Sequence, residues 1–275
     1  MLVRAVTSAL SGCSASDEVV VVADRDPGAR AVLGPWAGDR RLRVLDNTGK
    51  GGASDTRNHG VDAAVGDTVL FLDDDDELVS GYTDRVRAIK GAAWGFGAQM
   101  IRHDRDEKAV LLNRPASKTG IASPWVPFRR KMGALGAGFW VRRSVFKAVG
   151  GLSPDQKIDE DTDLCCRLLA AGYQPWLDSQ PAMIIDRLAD TPRLTTVTGA
   201  ETRAWCYLQT FQRNITPLTH ERGAAAFLAF RAQRMILRSG RDDLLEQLYD
   251  GVPGFQINAL LRAKQLVKWM KVNVE

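Results

Sequence analysis

Thr68-Val69-Leu70-Phe71-Leu72-Asp73-Asp74-Asp75-Asp76-Glu77 is a short apolar segment that ends in five consecutive acids. An apolar run of this length predicts a strand buried on both faces, as in parallel sheets covered by helices. Open α/β sheets bind ligands at the carboxyl ends of their strands, so the acids lie where a ligand is expected. Because crowded carboxylates repel one another, they favour a compensating cation such as Mg²⁺ or Mn²⁺, which prefers oxygen ligands.

The acidic segment has other interpretations. One is a solvated acidic turn, which would need no ligand, and these residues alone do not exclude it. A calcium loop of the EF-hand type would require glycine at its sixth position and glutamate at its twelfth, and both are absent. The nearby turn Gly49-Lys50-Gly51-Gly52 lacks the spacing of a phosphate-binding P-loop. We therefore expect either a cation site or a solvated turn.

Strand and helix patterns alternate around this segment, which predicts a doubly wound α/β sheet. The β-branched run at 18–23 is the clearest further strand, and residues 115–131, with three prolines, are expected to form an ordered loop that faces an acceptor. Further strands are predicted at 42–45, 94–102, 109–113 and 136–141, and helices at 2–10, 29–36, 53–64, 80–90, 142–149 and 161–171, the last closed by Gly172.

The bulk composition narrows the class of protein. The chain has 275 residues, 45% of them hydrophobic, and a formal net charge of +4, which is too little for a dedicated nucleic-acid binder. The four cysteines have no C-x-x-C spacing, so we expect reduced thiols. The sequence shows no apolar stretch long enough to cross a bilayer and no start typical of a signal peptide, and it predicts a cytoplasmic location.

The sequence changes character near residue 195, after which only helical patterns follow. We therefore predict a domain at 1–195 and a helical extension at 196–275. Basic residues recur at helical spacing beside apolar ones in this extension, and such helices can lie on an anionic membrane. The alternative is that the helices pack on the first domain with a solvated basic face. The basic residues are Arg231, Arg234 and Arg238, and then Lys264, Lys268 and Lys271.

Two blocks of the chain resemble the family 2 glycosyltransferases. Residues 51–61 contain Arg57-Asn58-His59-Gly60, similar to the family's Arg-Asn-x-Gly helix, and the acidic segment that follows is similar to its D-x-D-D motif. In the second block, Gly150-Gly151-Leu152 and Glu160-Asp161 resemble the family's glycine turn and its Glu-Asp pair at the start of a helix. The resemblance covers roughly residues 2–190 and implies a GT-A fold, a Rossmann-like doubly wound mixed sheet.

The resemblance also implies a reaction. A sugar would pass from a nucleoside-diphosphate sugar to a saccharide or lipid-linked acceptor, with inversion at the anomeric carbon. The expected donor is a UDP-sugar, and the expected process is polysaccharide or glycolipid biosynthesis. It implies that Asp161 is the catalytic base, that Asp75 and Asp73 hold Mg²⁺ or Mn²⁺, and that Asp24, Arg57, Asn58, Asp73 and Asp74 bind the nucleotide sugar.

Structural alternatives accompany these roles. Arg57 would also suit a surface position, and Asn58 would also suit helix packing. Acids such as those at 159–163 are common in the first turn of a helix. A non-catalytic module that binds nucleotide sugar or metal is the alternative function. The family's first strand, which precedes the helix at 2–10, is missing here, so we expect a form extended upstream to be more stable and to bind nucleotide more tightly.

Overall fold

The computed structural model describes residues 1–103, 108–187 and 198–250. Its strands are β1 (Val19–Ala23), β2 (Leu42–Asp46), β3 (Thr68–Leu70), β4 (Glu77–Leu78), β5 (Trp94–His103), β6 (Val110–Asn113), β7 (Gly120–Ile121), β8 (Trp140–Arg142) and β9 (Trp176–Arg187). Its helices are α1 (Leu2–Gly12), α2 (Ala29–Val32), α3 (Ala53–Ala63), α4 (Tyr82–Ala88), α5 (Arg143–Ala148), α6 (Glu160–Ala170), α7 (Ala200–Asn214), α8 (Ala224–Ser239) and α9 (Asp243–Asp250).

The strands form a mixed arrangement, which confirms the predicted α/β class. β1 and β2 pair in parallel as a two-stranded sheet. The larger sheet has the order β3-β8-β5-β9-β4, with β6 added to β5 and β7 added to β9. Within it β5 and β9 run parallel, and the other recorded pairs are antiparallel. The acidic segment therefore follows a strand whose partner, β8, is antiparallel, contrary to the parallel neighbour that its apolar run predicts.

The helix α6 ends as the sequence predicts. Gly172 has a φ of +86°, a left-handed conformation that glycine adopts without a steric penalty. The N–H of Gly172 donates to the carbonyl of Leu169, and the N–H of Tyr173 donates to that of Leu168. These two bonds form a Schellman motif, which satisfies carbonyls that the end of a helix leaves open.

The predicted strand at 136–141 is largely replaced by a turn. A 3-10 helix occupies Leu135–Ala137, Gly138 has a φ of +65°, and strand β8 begins at Trp140. Tyr82 donates a hydrogen bond from its hydroxyl to the carbonyl of Gly138, which holds the turn against α4. A Cβ at position 138 would lie 2.7 Å from the Cβ of Ala182, so the close packing requires glycine there.

Strand β9 was not predicted, although it lies beside β5 in the centre of the larger sheet. Its apolar pattern is interrupted by Asp178, Ser179 and Pro181. Asp178 is buried because Arg85 donates to its Oδ2 at 2.9 Å and Thr119 donates to its Oδ1 at 3.1 Å. Those partners come from distant parts of the chain, so the local sequence does not show that the polar residues are buried.

The C-terminal helices pack into the same apolar core as the sheet. One cluster of buried residues contains Phe71 beside β3, Leu164 in α6, Phe211 in α7 and Leu228 in α8. The predicted boundary near residue 195 lies outside the described residues, as do Lys264, Lys268 and Lys271. No helix among the described residues is long and apolar enough to span a membrane.

Candidate active site

The acidic segment folds so that three of its carboxylates converge. The N–H of Asp76 donates to the carbonyl of Asp73 at 3.2 Å, which closes a turn immediately after β3. One carboxylate oxygen from each of Asp73, Asp75 and Asp76 lies within 4.8 Å of the others. Asp74 is exposed and is not part of this group. We call Asp73, Asp75 and Asp76 the acidic cluster.

The acidic cluster fits a divalent cation. Three oxygen donors of hard character in one place match the ligand preference of Mg²⁺ or Mn²⁺, which commonly take carboxylates together with phosphate oxygens. The turn before β8 covers the cluster closely, since a Cβ at Gly136 would lie 3.4 Å from Oδ2 of Asp76 and 3.6 Å from Oδ2 of Asp73. The two predicted ligands, Asp73 and Asp75, are thus brought together, and Asp76 joins them.

Arg57 connects the acidic cluster to the start of α6. Its Nη2 donates to Oδ1 of Asp73 at 2.6 Å, and its Nη1 donates to Oε1 of Glu160 at 3.0 Å. The side chain of Arg57 is 19% exposed, so these charge-assisted bonds are partly shielded from water. The predicted phosphate-binding arginine therefore lies at the candidate site, and both ends of its guanidinium bind carboxylates.

Asp24 lies at the carboxyl end of β1, beside the glycine turn that precedes α3. The N–H of Gly52 donates to Oδ2 of Asp24 at 2.7 Å, and Nδ2 of Asn47 donates to its Oδ1 at 3.3 Å. Arg25 has a φ of +59° and donates from Nη2 to the carbonyl of Lys50 at 2.9 Å. The exposed Asp24 is therefore held at the edge where the sequence predicts a nucleotide.

Asn58 binds the backbone of Leu152 with both ends of its amide. Its Nδ2 donates to the carbonyl of Leu152 at 2.7 Å, and its Oδ1 accepts from the N–H of Leu152 at 2.9 Å. Helix α3 is thereby fastened to the turn at Gly150-Gly151. This arrangement gives Asn58 the packing role named above as its alternative, and its predicted contact with the nucleotide sugar stays a prediction.

The proposed base lies in the first turn of α6. Oδ1 of Asp161 accepts from the N–H of Thr162 at 2.6 Å and from the hydroxyl of Thr162 at 3.4 Å. Desolvation raises the pKa of Asp161, while the charges of Arg231 and Arg57 and the N–H of Thr162 oppose that rise. Burial and the neighbouring Asp161 likewise raise the pKa of Glu160, and Arg57 opposes this. A carboxylate with a raised pKa is the stronger base.

Arg231, on α8, is a residue whose place in the site the sequence did not predict. It was expected on a basic face directed to solvent or lipid. Its Nη2 instead donates to Oδ1 of Asp159 at 2.6 Å, and its Nη1 donates to the hydroxyl of Thr162 at 2.7 Å. Arg234 and Arg238 of the same helix are exposed. Helical spacing placed the three arginines on one side of the helix, but it could not show which of them contacts α6.

The N-terminal part of the chain matches a known family model. Residues 1–88 match a family model described as Glycosyl transferase family 2. That match includes Asp24, Arg57, Asn58 and the acidic cluster, and α6 lies beyond it.

Two curated relatives illustrate the similarity. The chain is 40% identical over 85 residues to GalNAc(5)-diNAcBac-PP-undecaprenol beta-1,3-glucosyltransferase of Campylobacter jejuni, which covers 30% of this chain and 26% of the relative. It is 38% identical over 108 residues to succinoglycan biosynthesis protein ExoO of Rhizobium meliloti, which covers 38% of this chain and 29% of the relative. The matched parts thus span less than a third of either relative.

A solved structure shows the same fold. S. aureus TarS 1-349 in complex with UDP-GlcNAc aligns with a TM-score of 0.59 over 95% of this chain and 75% of that chain. The two sequences are 14% identical, so the likeness concerns the fold alone. It confirms the GT-A fold that the sequence resemblance predicts.

Proposed function

We propose that this chain, which belongs to glycosyl transferase family 2, is an enzyme that transfers a sugar from a nucleotide sugar to an acceptor in glycan biosynthesis. The observation that carries the proposal is the connection between two acidic groups. Arg57 bonds Asp73 of the acidic cluster and Glu160, the residue next to Asp161. The proposed site for a cation and diphosphate would therefore lie beside a carboxylate able to accept a proton, as displacement at an anomeric carbon requires.

The acidic cluster would bind the donor. Asp73 and Asp75, with Asp76, would hold Mg²⁺ or Mn²⁺, and the ion would neutralise negative charge on the departing diphosphate. Asp24, at the carboxyl end of β1, would contact the base or ribose, and Asp74 the ribose. Arg57 would pair with phosphate oxygens, and Asn58 would lie next to the bound nucleotide sugar. The TarS complex holds UDP-GlcNAc, which supports a UDP-sugar as donor.

Asp161 would serve as the general base. Its carboxylate would take the proton of the acceptor hydroxyl while that oxygen forms a bond to the anomeric carbon. The bond from the anomeric carbon to the diphosphate oxygen would break at the same time, and the nucleoside diphosphate would keep the electron pair. Attack from the face opposite the leaving group inverts the configuration at that carbon. The raised pKa of Asp161 suits this task.

The acceptor is proposed to be a saccharide or a lipid-linked saccharide. One relative is named for transfer to an undecaprenol-linked acceptor and another for succinoglycan biosynthesis. An enzyme that acts on a lipid-linked acceptor works at a membrane surface, which agrees with peripheral contact on the cytoplasmic side. The exposed Arg234 and Arg238 of α8 would contribute to that contact through attraction to anionic lipid.

The proposal is tested by release of nucleoside diphosphate. Purified chain would be incubated with UDP-, GDP- and dTDP-sugars and Mn²⁺ or Mg²⁺, together with an acceptor mixture of lipid-linked saccharides. We expect metal-dependent release that falls by at least about 100-fold in Asp75→Ala and in Asp161→Asn. Asp62→Asn, which changes an exposed acid paired with Lys147, is the matched control and should keep its activity.

One outcome would contradict the proposed function, and another would contradict only the assignment of the base. Nucleotide binding without release from any donor would instead favour a non-catalytic binding module. Release that persists in Asp161→Asn would remove the assigned base while leaving the transferase function in place.

A further inference from the structure

Arg231 is held in a site built from three helices. Besides its bonds to Asp159 and Thr162, its Nη2 donates to the hydroxyl of Tyr207 on α7 at 3.3 Å. Its guanidinium lies 4.8 Å from the ring centroid of Tyr207 and 5.3 Å from that of Phe227. Arginine is suited to this arrangement because its planar group stacks on aromatic rings and donates in several directions at once.

The contacts of Arg231 surround the proposed base. Asp159 and Thr162 lie on either side of Glu160-Asp161, and Arg231 binds both of them. Thr162 in turn donates from its N–H, and at longer range from its hydroxyl, to Oδ1 of Asp161. The hydroxyl of Thr162 thus accepts from Arg231 on one side and faces Asp161 on the other.

The backbone of Asp159 needs this support. Its φ is +70°, in the left-handed region that costs a residue other than glycine about 1 kcal/mol or more. Asp159 is buried, and such a conformation persists when surrounding contacts fix it. The bond from Arg231 to Oδ1 of Asp159, at 2.6 Å, is a contact of this kind.

We propose that Arg231 is a positioning residue for the base: by holding Asp159 and Thr162 from α8, it fixes the first turn of α6 and thereby the orientation of the Asp161 carboxylate. This inference rests on the proposed transferase function. It makes the C-terminal helices part of the working site, although they come after the segments that resemble the family.

The electrostatics of the turn support the proposal. The pKa of Asp159 is raised to about 7 as the balance of several effects: burial raises it most, the charge of Arg231 lowers it, and the charge of Asp161 raises it. The titratable and charged groups that face this turn from the packed elements are Arg231 on α8, Tyr207 on α7, Arg57 on α3, and Glu160, Asp161, Cys165 and Cys166 on α6. Arg231 and Arg57 are the cations of this group, so loss of Arg231 should raise the pKa of both Asp159 and Asp161.

The first test is the pH dependence of kcat/KM in Arg231→Gln and Arg231→Lys. We expect the acidic limb to move to higher pH by about 1 unit in Arg231→Gln, because the base loses a neighbouring positive charge and binds its proton more tightly. Arg231→Lys should keep the limb near its wild-type position but lower kcat, since lysine retains the charge without the paired bonds. The affinity for nucleoside diphosphate should stay unchanged in both, because the contacts of Arg231 within the described residues involve none of those assigned to the donor.

The second test measures stability against pH and does not depend on activity. A pKa of about 7 in the folded chain, against roughly 4 in the unfolded chain, means that protonation of Asp159 stabilises the fold below about pH 4 and that this contribution is lost as pH rises to about 7. Without Arg231 the folded pKa rises further. The difference in Tm between wild type and Arg231→Gln should therefore be small at pH 5 and larger at pH 8.

Arg222→Gln is the matched control, because Arg222 is exposed, lies just before the start of α8 and has no assigned role. It should shift neither the acidic limb nor the Tm difference. Suppose that the wild type is active, that the acidic limb does not move in Arg231→Gln, and that this variant loses equal Tm at pH 5 and pH 8. Arg231 would then have a structural role only, and this inference would be overturned while the proposed function stands. A wild type that binds nucleotide but releases none would overturn the proposed function itself.

Discussion

At the scale of single residues, neighbouring acids in the segment 73–77 have different surroundings. Asp75 contributes an oxygen to the acidic cluster, and the adjacent Asp74 is exposed outside it. Glu77 forms ion pairs with Arg4 and Arg102, which use its charge within the fold. A run of like residues is thus divided among a candidate ion site, an exposed position and a structural ion pair.

This division predicts how substitutions change metal affinity. Asp75→Asn should weaken Mn²⁺ binding by about 10- to 100-fold or more, because it removes a charged oxygen ligand. Asp74→Asn removes the same charge one residue away and should leave Mn²⁺ affinity within about twofold, whatever its effect on nucleotide binding. Calorimetric titration of both variants with Mn²⁺ would measure this. Equal weakening in the two would show that net charge, and not the geometry of the cluster, attracts the ion.

The sequence predicts most residues of the candidate site but not their partners. The acidic run indicated a cation site, since its composition alone makes one electrostatically favourable. It did not indicate that Asp76 would converge with Asp73 and Asp75, because that depends on the turn closed by the N–H of Asp76. The bridge from Arg57 to Glu160 also joins positions far apart in the chain, so spacing could not reveal it.

At the scale of elements, α3 carries two side chains of the candidate site, and a glycine turn packs against one of them. Arg57 reaches the acidic cluster, and Asn58 reaches Leu152. Gly151 has a φ of +64°, and a Cβ there would lie 2.9 Å from Oδ1 of Asn58. The glycine is therefore needed both for its backbone conformation and for the close approach of Asn58.

Asn58→Ala is expected to destabilise the fold by about 2 kcal/mol, because it leaves the buried N–H and carbonyl of Leu152 without these partners. Urea unfolding would measure the change. Asn113→Ala, on the exposed strand β6, is the control and should cost less than about 0.5 kcal/mol. Nucleotide affinity, measured on the variant while it is folded, separates the two roles of Asn58. An unchanged unfolding midpoint would mean that the pairing with Leu152 contributes nothing.

The elements also show where sequence patterns stop being informative. β1 and α6 were predicted because a β-branched run and a capped amphipathic helix are both recognisable in the local sequence. β9 was missed because its central residues are polar and are paired with Arg85 and Thr119. A pattern of apolar residues detects burial by the hydrophobic effect, and it fails where hydrogen bonds make burial of polar groups possible.

At the scale of the whole molecule, the C-terminal helices hold the loops around the site. Phe128, in the proline-containing loop before β8, packs against Phe227 of α8, with 5.6 Å between ring centroids. Phe227 also stacks on Arg231, which binds Asp159. The loop that is expected to face the acceptor and the turn that carries the proposed base therefore share one support.

A buried ion pair completes this connection and allows it to be tested. Nζ of Lys131 donates to Oε2 of Glu221 at 2.7 Å, with side-chain exposures of 1% and 6%, and Gln174 donates to the other carboxylate oxygen. Lys131→Met should destabilise the fold by about 3–5 kcal/mol, because it leaves the charge of Glu221 buried without its cation. Lys147→Met breaks the exposed pair with Asp62 and should cost less than about 1 kcal/mol.

The double variant Lys131→Met with Glu221→Gln separates charge from packing. Glutamine keeps an oxygen that can accept from Gln174 and removes the buried charge, so the double variant should regain much of the stability lost in Lys131→Met. Urea unfolding of the wild type, of Lys131→Met, of Glu221→Gln and of the double variant gives the coupling energy directly. If Lys131→Met costs no more than Lys147→Met, the pair does not fasten the loop to the C-terminal helices, and the common support would have to come from the contact between Phe128 and Phe227 alone.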